Sequence, residues 1–210
     1  MFECAKREIR IDVGEANRRA LVDDVRELSL KLPSDAMFLE VGTREGHSAI
    51  ITLDAIKESH RKRWFFTIDP HGHRPYRADD TGGFVQLDYG EQMYRNAMLS
   101  LHNFAFKHDL NYCHYRMTSD NFIQYAENIE FWQNGQPQPW KFGYVYLDGE
   151  HNPEPVLREL NWYKQRLVPG GVIVIDDATS LCWKDKESAE TYCGVKFFKE
   201  ADHKLFYKHE

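Results

Sequence analysis

The run Val172-Ile173-Val174-Ile175, closing on Asp176-Asp177, limits most strongly what this chain can become. Four successive β-branched residues favour an extended strand. They show no alternation of apolar and polar positions, so both faces of the strand are covered. A strand buried on both sides belongs inside a sheet that lies between two layers of helices.

The rest of the chain supplies those layers. Residues 15–31 carry Ala20, Leu21, Val25, Leu28 and Leu32 at helical spacing, and Pro33-Ser34-Asp35 breaks the pattern. Met37–Val41 and Trp64–Asp69 read as short buried strands, with helical spacing between them at 47–60. Further helices are expected at about 91–108, from Ser119 or Asp120 to about 130, and at about 154–167. Further strands are expected at 111–117, 143–148 and 172–176, with Pro169-Gly170-Gly171 ending the preceding helix. Residues 70–90 and 133–139 read as loops without periodicity, the first long enough to serve as a lid over a substrate. The tail, Val195–Phe198 and Lys204–Tyr207, reads as two strands or as a helix and one strand.

Strands alternating with helices predict an α/β fold: a doubly wound, mostly parallel Rossmann-like sheet with helices on both faces and an antiparallel strand near the C-terminus. The 210 residues suit a single domain, 1–210, with a helical extension at 1–34 and a cofactor-binding core at 35–180. The formal net charge is −6 with no basic block, which argues against nucleic acid as a partner. No stretch approaches the length of a membrane span, and Met1–Glu8 lack the apolar core of a signal peptide. Cys4, Cys113, Cys182 and Cys193 form no C-x-x-C pair, so reduced thiols and a cytoplasmic location are expected.

In a doubly wound sheet ligands sit beyond the carboxyl ends of the strands, where the strand order reverses. Polar residues collect at those ends: Gly42 after the first strand, Asp69 after the second, Asp148 after the fourth, Asp176 and Asp177 after the fifth. The loop Glu40-Val41-Gly42-Thr43-Arg44-Glu45-Gly46-His47-Ser48 joins strand to helix. Gly42 permits a sharp turn and close approach to a ligand, and Gly46 permits tight packing at the helix start. Amides at a helix N-terminus favour a carboxylate. Asp69 can accept the hydroxyls of a ribose. A purely structural turn is the alternative reading of the glycines.

Glu-x-Gly-x-x-x-Gly followed by an acidic second-strand end resembles motif I of the class I S-adenosylmethionine-dependent methyltransferases. The resemblance implies that Glu40, Gly42, Thr43, Gly46, Ser48, Asp69 and Asp148 bind the cofactor, with Thr118 and Ser119 near the adenine. A dinucleotide fingerprint would carry Gly-x-Gly-x-x-Gly, and Arg44 stands where its middle glycine belongs.

Asp148, Asp176 and Asp177 end neighbouring strands. Three carboxylates in one place repel unless something neutralises them, and Mg²⁺ with oxygen ligands is the usual solution. Asp-Gly-x-His at 148–151 and Pro-Gly-Gly-x-x-x-x-Asp-Asp at 169–177 resemble the metal-dependent O-methyltransferases of the catechol and macrocin types. That resemblance implies a divalent metal on Asp148, Asp176 and Asp177 and a small-molecule acceptor with a hydroxyl. His151, Glu150 and Asp148 are the candidate catalytic residues. His151 is the preferred base because imidazole titrates near neutral pH.

Three other readings stay open. One is metal-independent transfer with His151 as base, one a non-catalytic S-adenosylmethionine-binding module, and one an NAD-dependent oxidoreductase. His71-Gly72-His73 is a weaker metal candidate and Trp183 a candidate wall for the acceptor. The short tail after residue 180 suggests a homo-oligomer in which another subunit completes that wall.

Overall fold

The computed structural model describes residues 15–72, 75–77, 84–86 and 90–210. Its centre is a seven-stranded sheet. Five strands are parallel: β1 (Met37–Val41), β2 (Trp64–Ile68), β5 (Asn111–Tyr115), β8 (Phe142–Leu147) and β9 (Leu167–Ile175). The last two, β10 (Lys199–Ala201) and β11 (Lys204–Lys208), form a hairpin, and β11 runs antiparallel along β9. The strand order is β10-β11-β9-β8-β1-β2-β5. From β1 the chain steps outward to β2 and β5, then returns to fill the other side with β8 and β9. The order therefore reverses between β1 and β8.

Alternate strand residues feed two cores. Met37, Leu39, Val145, Leu147, Ile173 and Ile175 pack under α4 (Ser119–Asn128), α5 (Pro153–Lys164) and α6 (Lys186–Cys193). Phe38, Phe65, Tyr144, Tyr146, Val172 and Val174 pack under α1 (Glu15–Lys31), α2 (His47–Glu58) and α3 (Glu91–Lys107). This two-sided burial is what the unbroken β-branched run of β9 requires. Cys113, Cys182 and Cys193 are free thiols, and Cys4 lies outside the described residues.

The structure corrects several sequence expectations. The strand that ends at Ile175 starts at Leu167 rather than at Val172. Its register against β8 shifts between Phe142 and Tyr144, and Pro169 and Gly170 lie in the bulge this produces. A bulge is one of the few places in a sheet that tolerates proline. Within the stretch read as a surface loop, β6 (Phe131–Gln133) and β7 (Gln136–Gln138) form a hairpin. Its turn, Asn134-Gly135, has positive φ at both residues, the conformation two-residue hairpins demand. A second small hairpin, β3 (Pro75–Arg77) with β4 (Phe84–Gln86), stands inside 70–90 where no regular structure was expected. In the tail the first strand begins at Lys199, not Val195, and α6 precedes it.

Arg63, just before β2, is buried and ties the end of α1 to the sheet. Its guanidinium donates to the carbonyls of Ser29 (2.6 Å from Nη2), Leu32 (2.6 Å), Ala36 (3.0 Å) and Pro33. A cation suits a helix C-terminus, and four carbonyls depend on this one fork. Arg63→Met is expected to cost roughly 3–5 kcal/mol of stability. Urea unfolding measures it, and Arg63→Lys should restore only part of the loss because it lacks the planar fork.

Candidate active site

The ends of β1, β8 and β9 are stitched together at the reversal. Gly42 N–H donates to the Ile68 carbonyl, Asp148 N–H to that of Val41, and Asp176 N–H to that of Leu147, each at 2.8 Å. Gly42 has φ +88, and a Cβ built there would stand 2.0 Å from the Asp148 carbonyl oxygen. Only glycine lets the loop lie this close to β8. Gly46, φ +84, starts α2 and packs on Leu101, whose side chain would meet an added Cβ at 3.1 Å.

Around this loop several polar side chains are buried and held in place. Glu40 is fully buried, and its Oε1 accepts from Ser48 Oγ at 3.0 Å. Its Oε2, and the hydroxyl of buried Thr43, have no hydrogen-bond partner among the described residues. Burial, then the charge of Asp148, raises the Glu40 carboxyl well above the ordinary carboxylate range. Asp69 accepts from the backbone amides of Arg44 (2.8 Å) and His71 (2.7 Å), which fixes it beside the loop. Thr118 caps α4 by accepting from Asn121 N–H at 3.2 Å. Ser119 opens α4 with its hydroxyl buried, beside Glu159 and Tyr163.

A cavity of about 310 Å³ opens between the Gly42–Ser48 loop and the β10–β11 hairpin. Gly42, Thr43, Ser48, Asp148 and Asp176 line it together with Tyr146 and Lys204. Glu40, Gly46, Asp69, Thr118, Ser119, Glu150, His151 and Asp177 are not among its described lining residues. A wider depression of about 880 Å³, between Pro33, Trp140 and Arg166, lies at the amino ends of the strands. Ligands of parallel sheets bind at the other end, so the smaller cavity is the candidate site.

A family model described as a methyltransferase domain matches residues 39–178. The chain belongs to this family. A search of the curated proteins found no match. Among solved structures, the calicheamicin methyltransferase CalS11 is 13% identical with a TM-score of 0.65, over 92% of this chain and 78% of that one. The O-methyltransferase TomG from Streptomyces achromogenes, in complex with SAM, is 14% identical with a TM-score of 0.55, over 95% and 82%. An O-methyltransferase from Bacillus cereus, in complex with SAH, is 15% identical with a TM-score of 0.52. The match covers 81% of this chain but 60% of the Bacillus protein's length. The fold is therefore the Rossmann-like fold of class I methyltransferases.

The rim of this site does not suit the expected magnesium ion. Asp176 Oδ1 lies 2.7 Å from the Lys204 ammonium and accepts Asp177 N–H at 2.9 Å. Its Oδ2 accepts the Tyr146 hydroxyl. Asp177 is turned into the left-handed region, φ 49, and its Oδ1 is 3.5 Å from Ser180 Oγ. Mg²⁺ demands about six oxygens in near-octahedral array. Among the described residues no group of three or more His, Cys, Asp or Glu is arranged to hold a metal. The Lys204 ammonium already pairs with one of the three carboxylates, Asp176. Asp148 remains mostly buried, and desolvation, then Asp176 and Asp177, raise its carboxyl well above the usual range.

Other candidates fall elsewhere. His71 is buried and its Nε2–H donates to the Arg44 carbonyl at 3.0 Å, while His73 lies outside the described residues. Trp183 is buried in the core beside Tyr192 rather than lining the cavity. Sequence reasoning missed Tyr146 and Lys204. Tyr146 looked like strand filler, and Lys204 is set opposite Asp176 only by the β9–β11 register. No described helix is long and apolar enough to cross a membrane.

Proposed function

We propose that this methyltransferase transfers a methyl group from S-adenosylmethionine to a hydroxyl of a small acceptor. The observation that carries the reading is the pair of buried, unpartnered oxygens, Glu40 Oε2 and Thr43 Oγ1, on either side of Gly42 at the strand-order reversal. Buried polar atoms rarely stay unpaired, and these two lie at the strand ends where parallel sheets bind their ligands, which supports a ligand that completes them.

S-adenosylmethionine supplies a methyl group on a positively charged sulfur. Glu40, Gly42, Thr43, Gly46 and Ser48 take its amino-acid end, where the α2 amides favour a carboxylate. Asp69 keeps lone pairs for ribose hydroxyls beyond the two amides it accepts. Thr118 and Ser119, at the start of α4, border the adenine side. The SAM and SAH held by the TomG and Bacillus structures support this assignment. CalS11 is described as a TDP-rhamnose 3′-O-methyltransferase, which supports a hydroxylated small acceptor.

At the rim, Asp148 orients the acceptor oxygen, and a ring nitrogen of His151 takes its proton. Glu150 is exposed and held by Asn152 Nδ2 at 3.1 Å, which leaves His151 the better base. Calorimetry with S-adenosylhomocysteine tests the cofactor assignment, with micromolar binding expected; no binding would remove it. His151→Ala is expected to bind S-adenosylhomocysteine like wild type and to slow methyl transfer about 10²–10⁴-fold, the usual worth of a general base. Methyl release across a panel of hydroxylated acceptors measures this, and an unchanged rate would exclude His151.

A further inference from the structure

Lys204 stands where the sequence resemblance puts a metal, and its position is set by backbone geometry. Leu205 pairs with Ile175 and Phe206 with Val174, so one step further along the hairpin places Lys204 opposite Asp176. The turn that precedes it, Asp202-His203, has positive φ at both residues, which suits a tight two-residue hairpin. His203 is also tied to the segment after β9, since its carbonyl accepts Thr179 N–H at 3.3 Å. The Lys204 side chain is about three-quarters buried, and its ammonium lies 2.7 Å from Asp176 Oδ1. Asp176 is held from its other side by the Tyr146 hydroxyl. The neighbouring cation, Lys199, is turned away onto Asp24 at 2.8 Å.

We propose that Lys204, clamped by Asp176, is a fixed cation of this site: it stands in place of a divalent metal and positions the acceptor oxygen beside Asp148. The inference rests on the methyl-transfer reading above. An ammonium carries three donors, and Asp176 engages one of them. Lys204 lines the same cavity as Asp148 and Gly42, so its ammonium is within reach of an acceptor bound there. A carboxylate whose oxygens are already taken by an ammonium, a phenol and an amide is a poor ligand for a hard cation. The charge of Lys204 repels that cation as well.

Calorimetry and electron paramagnetic resonance with Mn²⁺, on protein loaded with S-adenosylhomocysteine, test the proposal. Wild type is expected to bind no Mn²⁺ at submillimolar concentrations. Lys204→Met, which frees Asp176, is expected to gain Mn²⁺ affinity by about tenfold or more. Lys204→Arg, which keeps the charge, should stay as refractory as wild type. A gain of binding is not what mere loss of structure produces. Tight Mn²⁺ binding to wild type that Asp176→Asn abolishes would overturn the proposal. So would a folded Lys204→Met that gains no Mn²⁺. Should that variant not fold, the wild-type titration decides alone. Failure of wild type to bind S-adenosylhomocysteine would instead strike the methyl-transfer reading itself.

Discussion

Gly42→Ala is expected to lose S-adenosylhomocysteine binding by at least about a hundredfold and to cost roughly 2–5 kcal/mol of stability, adding left-handed strain to overpacking. The new Cβ would lie 2.0 Å from the Asp148 oxygen, 2.4 Å from its carbonyl carbon and 2.8 Å from the Gly149 nitrogen. All three are backbone atoms. They cannot swing aside as a side chain would, because the Asp148 amide is bonded to Val41 and the Gly42 amide to Ile68. The loop must therefore lift off β8, carrying with it the Thr43 hydroxyl and the geometry around Glu40. Gly194→Ala is the control. Its φ is +64, yet nothing stands within 4 Å of the added Cβ. It bears only the left-handed strain, about 1 kcal/mol, and should bind the ligand normally. Calorimetry and urea unfolding on both variants separate strain from collision. Wild-type affinity in Gly42→Ala would show that the loop does not cradle the ligand.

Such a contact was half legible in the sequence. A glycine directly after a buried strand announces a turn, but not that the turn lies on the next strand over. The same division runs through the molecule. The unbroken Val172–Ile175 run predicted burial on both faces, and the carboxyl-end placement of Asp69, Asp148 and Asp176 followed from strand and helix periodicity alone. Periodicity says nothing about pairing between distant segments. Lys204 sits in a strand that could be read, yet only the antiparallel register sets it against Asp176. A one-residue slip would turn it to the other face. Three carboxylates without a visible counter-charge suggested a metal, and the cation that pairs with one of them, Asp176, is a lysine in the last strand. The bulge at Pro169-Gly170 was hidden for a related reason: Pro-Gly signals a break, and here the strand passes through it. By contrast Asn134-Gly135 was a readable hairpin signal, obscured because its flanking strands are only three residues long and the second, Gln136–Gln138, is polar.

Two buried titratable groups on opposite faces of the sheet are expected to oppose each other as pH changes. Glu159, on α5, is buried beside the hydroxyls of Ser119 and Tyr163, and burial raises its carboxyl from 4.5 to about 7. His114, on β5, is bonded through Nδ1 to Thr67 Oγ1 at 2.8 Å, with its Nε2 buried and unpaired. Burial, then the neighbouring His71, lowers it from 6.5 to about 4. The raised acid holds its proton longer in the fold than in the unfolded chain. Its contribution is complete below 4.5 and is lost as pH rises to about 7. The depressed histidine does the reverse. Its contribution is complete above 6.5 and is lost as pH falls to about 4. Each slope approaches about 1.4 kcal/mol per pH unit, and between 4.5 and 6.5 the two oppose each other. Glu159→Gln removes the descending limb. It is expected to match wild type near pH 4.5 and to exceed it by up to roughly 3 kcal/mol at about pH 8. His114→Gln should gain on wild type only as pH falls below 6.5, and by less, because its ring is less completely buried. The groups share no partner, so the double variant should show the sum. Urea unfolding at acid, neutral and mildly alkaline pH reads all four proteins. Comparing each variant with wild type cancels Glu40 and Asp148, whose raised carboxyls steepen the decline in every one of them. A Glu159→Gln advantage that stays the same at every pH would mean that Glu159 contributes through packing alone and that its carboxyl titrates as it does in the unfolded chain.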